Sequence, residues 1–138
     1  MNLSVCIITK NEKENLEKCL QALAGYDLEI VVADTGSTDG TLEMIRNYTG
    51  SVYEFTWCDD FAKARNFAIS KAVNDRILVL DSDEYVQKMD IKQIQSCFEQ
   101  FPEGIGKIRI KNYFYQKNEI LYLLFHYFWV MLFTQRNK

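Results

Sequence analysis

The stretch LVLDSDEYV, residues 78–86, decides how this chain folds. Residues 77–80 are an unbroken apolar run that leads directly into Asp81, Asp83 and Glu84, three carboxylates within four positions. A short run with no polar face reads as a strand buried on both sides, the pattern of a parallel sheet. Polar residues just past the carboxyl end of such a strand fall where open α/β sheets bind their ligands. Either these carboxylates hold something cationic, or they form an acidic, solvated turn.

Outward from that stretch the same order recurs. Residues 3–9 are apolar and β-branched, and are followed by T-K-N-E. Residues 28–33 lead into D-T-G-S-T-D-G, and residues 51–56 into W-C-D-D. Between the strands lie apolar residues at helical spacing: Leu16, Cys19, Leu20 and Leu23, ended by Gly25; Leu42 and Ile45 within residues 41–48; Phe61, Ala64, Ala68, Ile69 and Ala72 within residues 61–73; and Ile91, Ile94, Phe98 and Phe101. Asn11 is expected to cap the first helix, with Glu14 at its third position, and Ser37 or Asp39 to cap the second. Residues 105–110 alternate like a strand with one wet face. The order β-α-β-α-β-α-β-α-β predicts an α/β fold, a mostly parallel sheet with helices on both faces. All four polar clusters then lie on one edge.

The segment ILYLLFHYFWVMLF, residues 120–133, departs from this order. It is apolar all round except for His126, and falls short of the about 20 residues a membrane-spanning helix needs. It divides the chain into a domain over residues 1–118 and an aromatic tail over residues 119–138. Exposed, the tail would form an apolar patch that monomers rarely tolerate, so it predicts a homodimer. Peripheral membrane contact is the second reading, since Trp and Tyr suit that interface.

With 138 residues, 48% hydrophobic and 25% charged, the chain has ordinary globular composition. A net charge of -3 argues against nucleic-acid binding by phosphate neutralisation. Cys6, Cys19, Cys58 and Cys97 include no C-x-x-C pair, which argues against a thiolate metal cluster and suits the reducing cytoplasm. The opening MNLSVCIITKNE lacks a basic region before a long apolar run, so it reads as a core strand rather than a secretory leader.

Asp81 and Asp83 flank Ser82, so extended backbone there points both carboxylates the same way. Hard oxygens of this kind suit Mg²⁺ or Mn²⁺, which bridge to phosphate. The bland reading is a polar turn, with Asp83 or Asp90 capping a helix. Asp34 stands where the second strand ends and can accept hydrogen bonds from a base or ribose. Arg65, one turn into its helix, either aims a guanidinium at a diphosphate or base, or pairs with Asp59 or Asp60. His126 enters no recognisable catalytic arrangement.

Together S-V-C-I-I-T-K-N-E, V-V-A-D-T-G-S-T-D-G-T, W-C-D-D-F-A-K-A-R-N and I-L-V-L-D-S-D-E-Y resemble the family-two glycosyltransferases, closest to the branch that builds lipopolysaccharide core and related surface glycans. The resemblance runs through residues 3–112, with the four motifs in order. It implies a GT-A fold, a nucleotide-sugar donor (commonly a UDP-sugar), Mn²⁺ or Mg²⁺, a glycan or lipid-linked acceptor, and inversion by a single displacement. By position it implies that Thr9, Asn11 and Glu12 line the nucleoside pocket, with Asp34 and Thr35 where relatives often carry two aspartates. Arg65 matches the base- or phosphate-side arginine. Asp81, Ser82 and Asp83 match the D-x-D motif, with Asp83 and Asp81 as metal ligands. No residue after Asn118 matches a base-bearing motif, so the chain reads as the donor-binding half, with no catalytic base identified.

Two rivals remain at this stage. An apolar strand followed by D-x-D resembles the nucleophile motif of haloacid-dehalogenase-type phosphatases, although there the motif follows the first strand. The other is a nucleotide-sugar-binding fragment that transfers nothing. A nicotinamide dehydrogenase is disfavoured because T-K-N-E stands where G-x-G-x-x-G belongs.

Overall fold

The computed structural model describes residues 2–84, 86–102, 105–109, 114–116, 119–121 and 129–134. Four strand–helix units open the chain: β1 (Leu3–Thr9), α1 (Lys13–Leu23), β2 (Glu29–Asp34), α2 (Thr41–Ile45), β3 (Val52–Glu54), α3 (Phe61–Ser70), β4 (Arg76–Asp81) and α4 (Ile91–Gln100). Then follow β5 (Gly106–Arg109), β6 (Phe114–Gln116), β7 (Glu119–Leu121) and β8 (Trp129–Thr134). The main sheet has the order β3-β2-β1-β4-β8-β5, and β6 pairs with β7 separately. β1 to β4 are mutually parallel, as their apolar character predicts.

Two of the helices are shorter than their periodicity suggests. Past Ile45 and past Ser70 the backbone bonds tighten to three-residue spacing: Tyr48 N–H donates to the Ile45 carbonyl at 2.9 Å, and Ala72 N–H to that of Ile69 at 3.1 Å.

The core has two sides. Leu3, Val5 and Ile7 of β1 pack with Leu16, Leu20 and Leu23 of α1, Ile45 of α2 and Phe98 of α4. Cys6, Val31, Ala33 and Ile77 pack with Ala68, Ile69 and Ala72 on the other face, against α3. Burial of each α1 leucine is worth about 1.5–3 kcal/mol. Phe61, read as part of the buried stripe, is instead 61% exposed. It begins α3 and packs on Trp57 rather than in either core cluster. At the amino-terminal pole Glu29 joins three segments: its carboxylate accepts from the Ser4 hydroxyl, from Val73 N–H at 2.9 Å and from Asn74 Nδ2 at 3.4 Å.

Within the segment read as an aromatic tail, residues 129–134 form β8 of the main sheet, antiparallel to β4 and to β5. The physical reason lies in the signal itself. Apolarity on every side describes a segment that needs cover on both faces, and a central strand of a sheet with layers packed on both faces has that same requirement. β8 also covers the outer edge of β4, which would otherwise offer unpaired backbone groups. The boundary at residues 118/119 is therefore not a boundary of the sheet. The rest of the interface expected for the homodimer or membrane contact, residues 122–128 with His126, lies outside the described residues. Among the described residues, no helix is long and apolar enough to cross a membrane.

Candidate functional site

Sheet register gathers the candidate residues into one layer. Thr9 is the partner of Asp34, and Ile8 of Asp81, so the ends of β1, β2 and β4 lie level. β1 has β2 on one side and β4 on the other, so chain order reverses between β1 and β4. A crevice opens at such a switch point, beyond the carboxyl ends of the strands.

On one side of that layer, the segment after β1 and the loop after β2 are laced together. Asn11 does not cap α1. It adopts a left-handed backbone with φ of 52°, donates its N–H to Ser37 Oγ at 2.9 Å and accepts from Thr38 N–H at 2.7 Å through Oδ1. Glu12 precedes α1 with no side-chain cap, and its carboxylate accepts from Asn15 Nδ2 at 2.7 Å. The cap comes instead from the loop after β2. Asp39 accepts from Lys13 N–H at 3.4 Å and from Thr41 N–H at 3.0 Å, so one carboxylate serves two helix starts. Hydrogen bonding, above all from the Thr41 hydroxyl, holds the Asp39 carboxyl below its ordinary range.

Asp34 is 3% exposed, and its carboxylate faces its own loop. It accepts from Gly36 N–H at 3.1 Å, from Ser37 N–H at 2.9 Å and from the Ser37 hydroxyl. Gly36 has φ of 105°, where a side chain would be strained. Thr35 turns back to β1: its N–H and hydroxyl both donate to the Thr9 carbonyl, at 2.9 and 3.0 Å. The Thr9 hydroxyl is buried and has no hydrogen-bond partner among the described residues.

The other side of the layer belongs to α3 and β4. Asp81 is two and four residues from Val79 and Ile77, which pack toward α3, so its side chain leans to α3 as well. There Arg65 Nη2 donates to Asp81 Oδ1 at 2.7 Å. The alternative partners are engaged elsewhere: Asp59 accepts from Trp57 Nε1 at 2.9 Å, and Asp60 caps α3 through Lys63 N–H at 3.0 Å. The Arg65 guanidinium lies 5.9 Å from the centre of the Phe61 ring, which packs edge-on against Trp57 at 4.8 Å.

After Asp81 the backbone is not extended. Ser82 and Asp83 form a turn in which Glu84 N–H donates to the Asp81 carbonyl at 3.1 Å. The Asp81 N–H in turn donates to Glu84 Oε2 at 3.0 Å. Asp81 and Asp83 therefore do not point one way by strand alternation; the turn sets their directions, and Asp83 is exposed. Asp90, not Asp83, caps the following helix. Burial pushes the Glu84 carboxyl above its ordinary range against the Asp81 N–H bond, and the charges of Asp81 and Asp83 add to the rise.

Two hollows border the layer. One, of about 390 Å³, is lined by residues 11–15 and Asp39. The other, of about 330 Å³, lies between residues 34–36 and Glu54, Phe55, Thr56 and Trp57. Trp57, Glu84 and Asp39 were absent from the candidate set, although W-C-D-D, D-S-D-E and D-T-G-S-T-D-G already placed them on this edge.

Among the described residues, no three His, Cys, Asp or Glu side chains converge as a metal cage. Mg²⁺ does not require one: it binds through one or two carboxylates and completes its shell with waters and substrate phosphates. An exposed Asp83 beside a half-buried Asp81 is a donor set of that kind, and it fits.

Residues 4–138 match the family model described as glycosyl transferase family 2. Similar proteins include a TPR repeat-containing protein of Synechococcus elongatus, 37% identical over 104 residues, covering 75% of this chain and 26% of the relative. Poly(ribitol-phosphate) beta-N-acetylglucosaminyltransferase TarS of Staphylococcus aureus is 28% identical, covering 80% of this chain and 21% of its own length. The crystal structure of TarS residues 1–349 in complex with UDP superposes with a TM-score of 0.66 at 28% identity, covering 76% of this chain and 34% of that one. Mannosyltransferase PcManGT from Pyrobaculum calidifontis, in complex with GDP-Man and Mn²⁺, gives 0.66 at 25% identity, covering 75% and 34%. This chain thus spans between about a fifth and a third of these relatives. The fold is the α/β GT-A type of these neighbours, and the phosphatase and dehydrogenase readings fall away.

Proposed function

The chain belongs to glycosyl transferase family 2, and on that premise we propose that it binds a nucleoside diphosphate sugar, first of all a UDP-sugar, at the carboxyl edge of its sheet. The donor site serves transfer of the sugar, with inversion, to a glycan or lipid-linked acceptor on the cytoplasmic side. The observation that carries this reading is the convergence of Thr9, Asp34 and Asp81 in one layer at the switch point, with Arg65 beside them. Solved neighbours hold UDP in one case and GDP-Man with Mn²⁺ in another, which supports the class of donor.

Thr9, Asn11, Glu12, Asp34 and Thr35 form the nucleoside side. The Thr9 hydroxyl, buried and without a partner among the described residues, is consistent with this side being completed by a ligand, since an unmet hydroxyl costs about 1–3 kcal/mol. Arg65 offers a planar fork to the diphosphate or the base, and Ser82 follows its partner Asp81 in the D-x-D turn. Asp83, with Asp81, would hold Mg²⁺ or Mn²⁺, which supplies neutralisation of the leaving diphosphate when bound. We assign no general base to this chain, so binding without transfer is the second reading. Residues 1–118 carry the proposed donor site, and β8 completes its sheet.

Calorimetric titration with UDP and several UDP-sugars, in chelator and in Mn²⁺, tests the proposal. Binding should be measurable only with the metal, and Asp83→Ala should weaken it more than Ser82→Ala. Equal affinity in chelator and in Mn²⁺ refutes the metal assignment. Transfer of radioactive sugar separates an enzyme from a binding module.

A further inference from the structure

We propose that the Arg65–Asp81 ion pair is a latch that makes divalent-metal binding conditional on the donor diphosphate. The proposal rests on the donor-site reading above and concerns what Arg65 does when no donor is present.

Three observations carry it. Arg65 Nη2 lies 2.7 Å from Asp81 Oδ1, and both side chains are partly exposed, at 38% and 47%, so a ligand can reach either. The guanidinium also has an aromatic support, with Phe61 at 5.9 Å and Trp57 packed on Phe61. Its nearer carboxylates in sequence are already committed, Asp59 to Trp57 and Asp60 to the start of α3. The choice of Asp81, 16 residues away, follows from the fold, since α3 covers the face of the sheet to which Ile77 and Val79 of β4 also turn.

The consequence is electrostatic. A carboxylate paired with a guanidinium presents little net charge to an incoming cation, and a dication at Asp81 would sit within a few ångströms of a fixed positive charge. The remaining strong donor, exposed Asp83, is a weak site alone. A diphosphate changes both terms. Its oxygens match the guanidinium fork better than a single carboxylate oxygen does, and they add ligands for the metal. Arg65 can then pass from Asp81 to the diphosphate, and Asp81 regains its charge for the cation. Metal without donor is disfavoured, and donor draws metal in.

The test is Mn²⁺ binding in the absence of nucleotide, read from the electron paramagnetic resonance signal of free Mn²⁺. The full chain is compared with Arg65→Gln, Arg65→Ala, Asp81→Asn and the double variant Arg65→Gln/Asp81→Asn. Gln and Ala are good helix formers at a partly exposed position of α3, and thermal melts monitored by circular dichroism confirm folding. Either Arg65 variant should bind Mn²⁺ about tenfold more tightly than wild type, which is about 1.4 kcal/mol. The gain should vanish in the double variant, and UDP affinity should fall in both single Arg65 variants. Arg65→Lys, which keeps the charge, should track wild type for Mn²⁺ alone. Unchanged or weaker Mn²⁺ binding in Arg65→Gln and Arg65→Ala overturns the latch, as does a gain that survives in the double variant. The donor-site reading is tested separately: if wild type fails to bind UDP in Mn²⁺, that reading fails, and the nucleotide-free comparison still decides the latch.

Discussion

Asp34 stood in the sequence as a residue that contacts the nucleoside, yet its carboxylate serves the backbone of its own loop, and replacing it separates the two roles. Its oxygens accept from two backbone N–H groups and one hydroxyl, all within residues 36–37. In Asp34→Ala, the N–H of exposed Gly36 regains water, whereas half-buried Ser37 does so only in part. Between one and two charge-assisted bonds are lost without replacement, about 2–3 kcal/mol. Asp34→Asn keeps an oxygen for the two N–H groups and lets the Ser37 hydroxyl reverse its role, so about 1 kcal/mol is lost. For a chain of this size roughly 3–4 °C of Tm corresponds to each kcal/mol. Thermal melts should therefore show a drop of about 6–12 °C for Ala and about 3–4 °C for Asn.

The same variants are titrated with UDP in Mn²⁺ below their melting range. Loop scaffolding predicts that Asp34→Asn keeps its affinity within about threefold, because the loop and the Asn11 contacts survive. Direct recognition by the charge predicts a loss beyond about tenfold at nearly unchanged Tm. An Asp34→Ala protein that melts within about 1 °C of wild type would refute the scaffolding argument.

Glu84 gives a pH test. Its folded carboxyl lies above the ordinary value of 4.5 because of burial, so the folded state holds its proton more tightly and loses stability as pH rises from 4.5 through the folded value. Glu84→Gln should match wild type near pH 4 and exceed it in Tm at pH 7; a variant less stable at pH 7 contradicts the assignment. Burial pushes the Cys6 and Cys19 thiols up to about 12, while Cys58 and Cys97 are exposed. A chromogenic disulfide reagent should therefore titrate two thiols quickly and the other two only on unfolding. A chain ending at Asn118 lacks β8, leaving the edge of β4 open and β5 without its partner; it should aggregate or lose cooperative unfolding, and a monomeric, cooperative product would show that β8 is dispensable.

The first four strands and their helices were legible because their signals are local. An apolar run of four or more residues, a stripe at helical spacing and a polar cluster after each strand need no knowledge of the rest of the chain. What escaped is non-local. The cap of α1 comes from Asp39, 26 residues away, so Asn11 and Glu14 offered a plausible local answer to a question settled by the loop after β2. β8 escaped because an all-apolar segment fits a central strand, a buried helix or an interface equally well. The partner of Arg65 was within reach: strand alternation from Ile77 and Val79 places Asp81 toward α3, which carries Arg65. The turn at Ser82 hid this, because D-x-D invites the assumption that both aspartates continue the strand.

The two poles of the sheet differ in how their polar groups are satisfied, and the difference supports the proposed place of the site. At the amino-terminal pole, Ser4 is fully buried and Glu29, Val73 and Asn74 satisfy one another around it. Among the described residues there, no buried side-chain polar atom is left without a partner. At the carboxyl pole the polar groups are also tied down, but by contacts a ligand can replace. Asp81 is neutralised by a partly exposed arginine, Asp83 faces solvent, and the Thr9 hydroxyl is buried without a partner among the described residues. Polar groups that fold and stay folded for structure alone tend to close on each other. A pair kept near the surface, as Arg65 and Asp81 are, is one whose partners a charged ligand can reach, which is what the proposed latch requires.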